Sequence, residues 1–252
     1  MFAQTNVQLY NQLIRDGCTP GDLTLIRRAY ELAVPLFTGL YRPSGKTFMD
    51  HVVGTASIIQ EVQGKPALTA AGLLHSAYSH GDFGFAGCVS ARVRSKRMAE
   101  AVGDEVEAYV RMYDELSWSS RRAQELQEQI DDMTPAWRDV VSLRVANELE
   151  DHLYGGTLYC YSAARHRQGL EKRRELLAGL ALRLGLPALQ HAVDRVFAEC
   201  ASQAVVPELL QRAPRMKSYR LLPGSCRRSA WLYLYGMMKQ LRHSAPRKNR
   251  IS

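Results

Sequence analysis

The chain is short of several things that would otherwise guide a reading. Its five cysteines stand at positions 18, 88, 160, 200 and 226, and none forms a Cys-x-x-Cys pair. An odd, scattered set in a 252-residue chain excludes a disulfide scaffold and thiol-pair zinc motifs. It fits reduced, structural thiols in a cytoplasm. No apolar run has the length to span a bilayer, and the longest candidate, Trp231 to Met238, is far too short. No membrane partner is therefore expected. The start, Met1 to Asn6, lacks a basic region followed by an apolar stretch, so no secretory signal is read. Alternating strand patterns bounded by turn dipeptides are missing, and no internal repeat is evident. Asp and Glu are absent from 211–252, a segment with eleven Lys or Arg. The net charge of +8 thus belongs to the C-terminal end, because the rest carries 22 basic and 25 acidic side chains.

What is present is helical periodicity. At 46% hydrophobic, the chain can bury one large core. Apolar spacings of three and four predict a short helix over Val7–Ile14, stopped near Gly17. Thr19-Pro20-Gly21-Asp22 and Thr134-Pro135 read as helix starts, a capping hydroxyl before proline. The helix after Pro20 should be kinked or ended by Pro35. Leu40 to Lys46 reads as a loop, and a helix with Val52, Val53, Ala56, Ile59 and Val62 follows. Ala67 to Tyr78 is apolar on nearly all sides, as buried central helices are. His80 to Gly84 is a loop, followed by helices over 90–101 and 104–116. Arg121 to Asp131 is polar enough for a solvated arm. A long helix from Thr134 carries Leu143, Val145, Ala146 and Leu149 and stops at Gly155-Gly156. Further helices fall near 157–167, 169–184, 187–201 and 227–242. The expected fold is all-α, with a core over 18–156, a C-terminal helical extension over 157–243 and a basic, disordered tail over 244–252.

Three separated elements carry the chemistry. Arg42-Pro43-Ser44-Gly45-Lys46 precedes His51 at a helix start. The apolar run Leu68 to Leu74 ends in His75. Leu143-Arg144-Val145-Ala146-Asn147-Glu148-Leu149-Glu150 follows about seventy residues later. Together with Arg28-Ala29-Tyr30-Glu31-Leu32-Ala33, these resemble the HD-domain superfamily over residues 22–153. The pattern is similar to the hydrolase half of RelA/SpoT-type alarmone enzymes, and most of all to an HD-like group with His-Ser in place of the His-Asp doublet. The resemblance implies an HD-like helical bundle. It also implies a metal site in which His51, His75 with Ser76, and Asn147 fill the places of one His, a His-Asp doublet and a distant Asp. Both carboxylates are thus replaced by neutral groups. The acid pair of the alarmone hydrolases falls on Ser79 and His80.

A site of two imidazoles, a hydroxyl and an amide lacks the negative oxygen ligands that Mn²⁺ prefers. If one divalent ion is bound, Zn, Fe or Mn come into question. His80 and Asp82 could join His51 and His75 in a rebuilt site that suits Zn²⁺ or Fe²⁺. Asp151 lies one turn below Asn147 and shares its face, whereas Glu148 and Glu150 are expected to point elsewhere. The bland alternatives are a helix-start histidine at 51 and a satisfied core histidine at 75.

Arg42, Ser44 and Lys46 form a polar cluster before a helix N-terminus, where phosphate or carboxylate is favoured. The alternative is a solvated loop with Arg42 paired to an acid such as Glu31. Arg227, Arg228, Trp231, Tyr233, Tyr235, Lys239 and Arg242 mix cations with aromatics. That suits an amphipathic terminal helix, a homodimer contact or, less readily, nucleic acid. Three functions stay open. One is an HD-like pocket protein acting on or binding a small phosphorylated or carboxylated metabolite, as a divergent metal-dependent hydrolase or oxygenase. Another is a non-catalytic ligand- or partner-binding module on a decayed hydrolase fold. The third is a nucleic-acid or protein adaptor working through 211–252.

Overall fold

Hydroxyl caps set the helix starts that matter for the site. In the computed structural model, Thr19, Thr47 and Thr134 each accept a backbone N–H from the first helical turn. Proline follows Thr19 and Thr134 directly. Each such cap stabilises its helix by about 1 kcal/mol. The structure describes residues 1–84, 89–160, 163–210, 217–222 and 234.

The chain is predominantly all-α. It opens with α1 (Asn6–Arg15), α2 (Pro20–Phe37), the short strand β1 (Leu40–Tyr41) and α3 (Phe48–Gln63). Next come α4 (Pro66–Leu74), α5 (Ala77–His80), α6 (Ala91–Val102) and α7 (Asp104–Glu115). Then follow α8 (Ser120–Gln129), α9 (Pro135–His152), α10 (Ala163–Gln168), α11 (Leu170–Arg183), α12 (Pro187–Ser202) and β2 (Tyr219–Arg220).

The centre is α3 and α4, packed on each other, with α2 and α7 against α4 and α9 against α3. α12 and α11 pack against α9 as well, and α8 packs on α11. One set of buried apolar side chains runs from Phe2 to Cys200. α3 and α4 approach closely because Gly72 lacks a side chain: a Cβ there would lie 2.8 Å from Ala56 Cα. Gly72→Ala is expected to lower stability by about 1–3 kcal/mol through overpacking. Urea unfolding checks this, and an unchanged midpoint would mean that the two helices separate without cost.

Pro35 lies inside the last turn of α2, which ends two residues later at Phe37. Several other local expectations are corrected. The 121–131 segment is no solvated arm: α8 buries Ala123 and Leu126, three residues apart, and Ile130 follows them into the core. The expected Ala67–Tyr78 helix is divided, α4 ending at Leu74 with His75 as its cap and α5 beginning after Ser76. The 40–46 loop contains β1, whose Leu40 and Tyr41 pair antiparallel with Arg220 and Tyr219. After α9 the chain turns through two left-handed residues, Tyr154 (φ 55°) and Gly155 (φ 70°), into 3₁₀ turns that end at Tyr159. Cys18, Cys160 and Cys200 are thiols. The expected 227–242 helix, apart from Leu234, and the 244–252 tail lie outside the described residues.

Candidate functional site

His51 stands one turn into α3 and His75 caps the end of α4, so the packing of these two helices brings the rings together. Both residues are fully buried. Their ring centroids are 5.3 Å apart, with the planes at 70°. His51 Nδ1 meets Glu150 Oε2 at 2.5 Å. His75 Nδ1–H donates to the Gly72 carbonyl at 2.8 Å. The two Nε2 atoms are left buried, with no hydrogen-bond partner among the described residues. Asn147 is buried on α9, and its side chain lies against the His51 ring. Ser76 is buried at the break between α4 and α5.

Two carboxylates absent from the expected ligand set stand beside this pair. Glu150 is fully buried, accepts from Lys46 Nζ and contacts His51. Asp151 accepts from the Arg42 guanidinium and lies 3.6 Å from His51 Nδ1. The expectation that Glu150 points elsewhere is therefore corrected. Three residues along a helix amount to about 300°, so Glu150 is only about 60° from Asn147. Gly54 leaves room for it, since a Cβ there would fall 2.5 Å from Glu150 Oε1. Glu148 does turn away, pairing with Arg144 at 2.8 Å.

Burial sets the proton balance. It lowers His75 to about 3, helped by the neighbouring His51. It also holds His51 well below its usual range, helped by Arg42. Both rings are thus neutral, the form that ligates metals. Burial pushes Glu150 up to about 8 against the pull of Lys46. A cation at His51 Nε2 would favour a proton on Nδ1, facing the Glu150 carboxyl. The Arg42 guanidinium overcomes burial to hold Asp151 far below the usual carboxylate range. Ligand atoms of His51, Glu150 and Asp151 all lie within 4.8 Å of one another, so this group could hold a metal ion.

The two depressed histidines fix a pH dependence. Their folded values lie below the unfolded value of about 6.5, so protonation favours the unfolded chain. The His75 contribution is fully present above pH 6.5 and is lost as pH falls toward 3, and that of His51 is lost in the same direction. Glu150, raised to about 8, acts in the opposite direction over this window, so the test is the difference: between pH 7 and 4 the Tm of wild type should change toward lower values relative to that of His75→Gln.

Other expected residues land nearby or apart. Arg42 pairs with Asp151 rather than Glu31, whose partner is Arg27. Arg42, Pro43 and Ser44 line a cavity of about 260 Å³ with Glu148, Asp151, His152 and Arg173. Lys46 belongs to the Glu150 pair and is not among the residues lining that cavity. His80 packs on the Phe48 ring and bonds Ser79, while Asp82 accepts from Gly84 N–H. The structure does not bring these two into the His51 group.

Residues 38–117 match the model of a domain of unknown function (DUF6817). The match covers about a third of the chain. The DUF6817 segment includes Arg42, His51 and His75 but ends before α9, which supplies Asn147, Glu150 and Asp151. No curated protein matches the chain. Among the described residues, no helix is long and apolar enough to cross a membrane.

Proposed function

We propose that this chain holds one divalent ion through His51 and His75 and acts on, or retains, a small phosphorylated or carboxylated molecule in the cavity beside Asp151. The observation that carries the reading is the imidazole pair. Each ring has Nδ1 tied to a carboxyl or carbonyl oxygen and leaves a buried Nε2 without a hydrogen-bond partner among the described residues. Metal-ligating histidines are held in this way, the second nitrogen fixing ring and tautomer. The order of Arg42 loop, His51, His75 and the α9 residues supports an HD-like core.

The donor set fits an ion that accepts nitrogen ligands. Two neutral imidazoles and an amide suit Zn²⁺ or Fe²⁺ more than Mn²⁺. Such an ion supplies a Lewis acid or an activated water. Glu150 would orient His51, and the Gly72 carbonyl His75. Ser44 and Arg173 face the ligand's anionic group, while the Arg42–Asp151 pair forms the wall toward the imidazoles. Element analysis of the purified chain tests the reading, followed by zinc and iron titration of the chelated protein. One ion per chain is expected. A chain that is purified without metal and takes up none at micromolar concentration would overturn it.

A second reading has its own support. Arg42 and Lys46 already neutralise Asp151 and Glu150, as cations would in a binding module descended from a metalloenzyme. Anion binding without any ion is its expected outcome. The adaptor reading concerns residues that lie mostly outside the described ones.

A further inference from the structure

A second cavity, of about 400 Å³, opens between the start of α8 and the N-terminal half of α11. Its walls are of two kinds. Trp118, Ala123, Leu176 and Leu177 provide an apolar surface. Arg165, Lys172 and Arg173 surround it with positive charge. Glu148 is the only acid in the lining, and it already pairs with Arg144. No carboxylate among the described residues pairs with the three cations. Arg173 instead hydrogen-bonds the ring of His166 at 3.2 Å, and that ring is held below its usual range by burial and by Arg173 itself.

The neighbouring cations show the contrast. Arg174, on the same helix, is matched by both Glu171 and Asp194. Arg183 is matched by Asp131. Three uncompensated cations around one concavity repel each other and favour an anion. Trp118 is also a prepared surface: the Arg144 guanidinium lies 5.0 Å from its ring centroid and holds the ring in place. A flat apolar body can lie on Trp118 and Leu176 while its charge reaches the cations. A simple inorganic ion would leave the apolar wall wet.

We propose that this cavity is a binding site for a planar aromatic anion, with a carboxylate or phosphate held by Arg165, Lys172 and Arg173. The site does not depend on a metal ion at His51 and His75. It does share Glu148 and Arg173 with the cavity beside Asp151, so an occupant lies next to that centre.

The test uses the full chain and defined probes. 1-Naphthyl phosphate and 1-naphthaleneacetate are titrated by calorimetry, with 1-naphthaleneacetamide and inorganic phosphate as controls. At least one aromatic anion should bind at least tenfold more tightly than either control, and its affinity should fall with added salt. The preferred probe decides between the phosphate and carboxylate head groups. Lys172→Gln combined with Arg165→Gln changes two exposed side chains, so folding should be kept. This variant should weaken binding of the preferred probe at least tenfold, and Trp118→Ala should do the same. His51→Ala should leave this binding unchanged whatever its effect on metal. Equal binding of the amide, or full affinity in the double variant with a wild-type melting curve, would overturn the proposal. So would failure of both aromatic anions to bind below millimolar concentration.

Discussion

Asp151→Ala is expected to lower folding stability by about 3 kcal/mol, the lower end of the cost of breaking a buried ion pair. The pair is only partly shielded, its side chains being 19% exposed for Arg42 and 25% for Asp151. That exposure places the figure at the low end. The cost arises because Arg42 keeps its charge and loses its acceptor, while its Nε already has no partner among the described residues. Removing both charges together, as Arg42→Met with Asp151→Leu, should restore most of the loss. A double-mutant cycle by urea unfolding measures the coupling. The effect has a signed pH dependence. Asp151 is depressed in the folded chain by Arg42. Its contribution is present above the unfolded value of about 3.8 and disappears as pH falls through the folded one. Wild type and Asp151→Ala should therefore converge in strong acid. A variant as stable as wild type at neutral pH would show that the pair contributes nothing.

His51→Ala and His75→Ala are each expected to weaken metal binding at least a hundredfold, about 2.7 kcal/mol. Glu150→Gln should cost tenfold to a hundredfold, the usual effect of removing a group that orients a ligand. These three variants discriminate between two placements of the ion. An ion between the imidazoles needs both rings and loses less on Glu150→Gln than on either histidine variant. An ion held by His51, Glu150 and Asp151 needs Glu150 and ignores His75. Zinc competition with a chromophoric chelator gives the affinities. Retention of wild-type affinity in His51→Ala would exclude both placements.

Much of the frame was legible in the sequence. The Thr-Pro pairs at 19–20 and 134–135 are local chemistry, and each became a capped helix start. The buried, all-apolar character of Leu68 to Leu74 announced a central helix. His51 and His75 are brought together because α3 and α4 cross at Gly72. Glu150 is not legible from α9 alone: helix geometry puts it within about 60° of Asn147 but does not say which side of that face is filled. Its place depends on Gly54, more than ninety residues away, and no pattern in α9 announces the gap it fills. The burial of α8 was missed for a similar reason. Two small apolar contacts suffice when the partner helix offers a glycine, here Gly179 under Gln127. β1 was invisible because its partner lies about 180 residues further along.

That partner strand makes the basic end more than a store of charge. β2 brings Tyr219 onto the Tyr41 ring at 5.6 Å, and the Arg220 side chain donates to the Thr38 and Leu36 carbonyls. The chain therefore returns to brace the loop that carries Arg42. A truncation before residue 217 removes this buttress along with the cations, whereas one after Leu222 keeps it and removes the cations beyond. Comparing the two cuts separates what the terminal arginines do by attraction from what the strand does by propping up the loop.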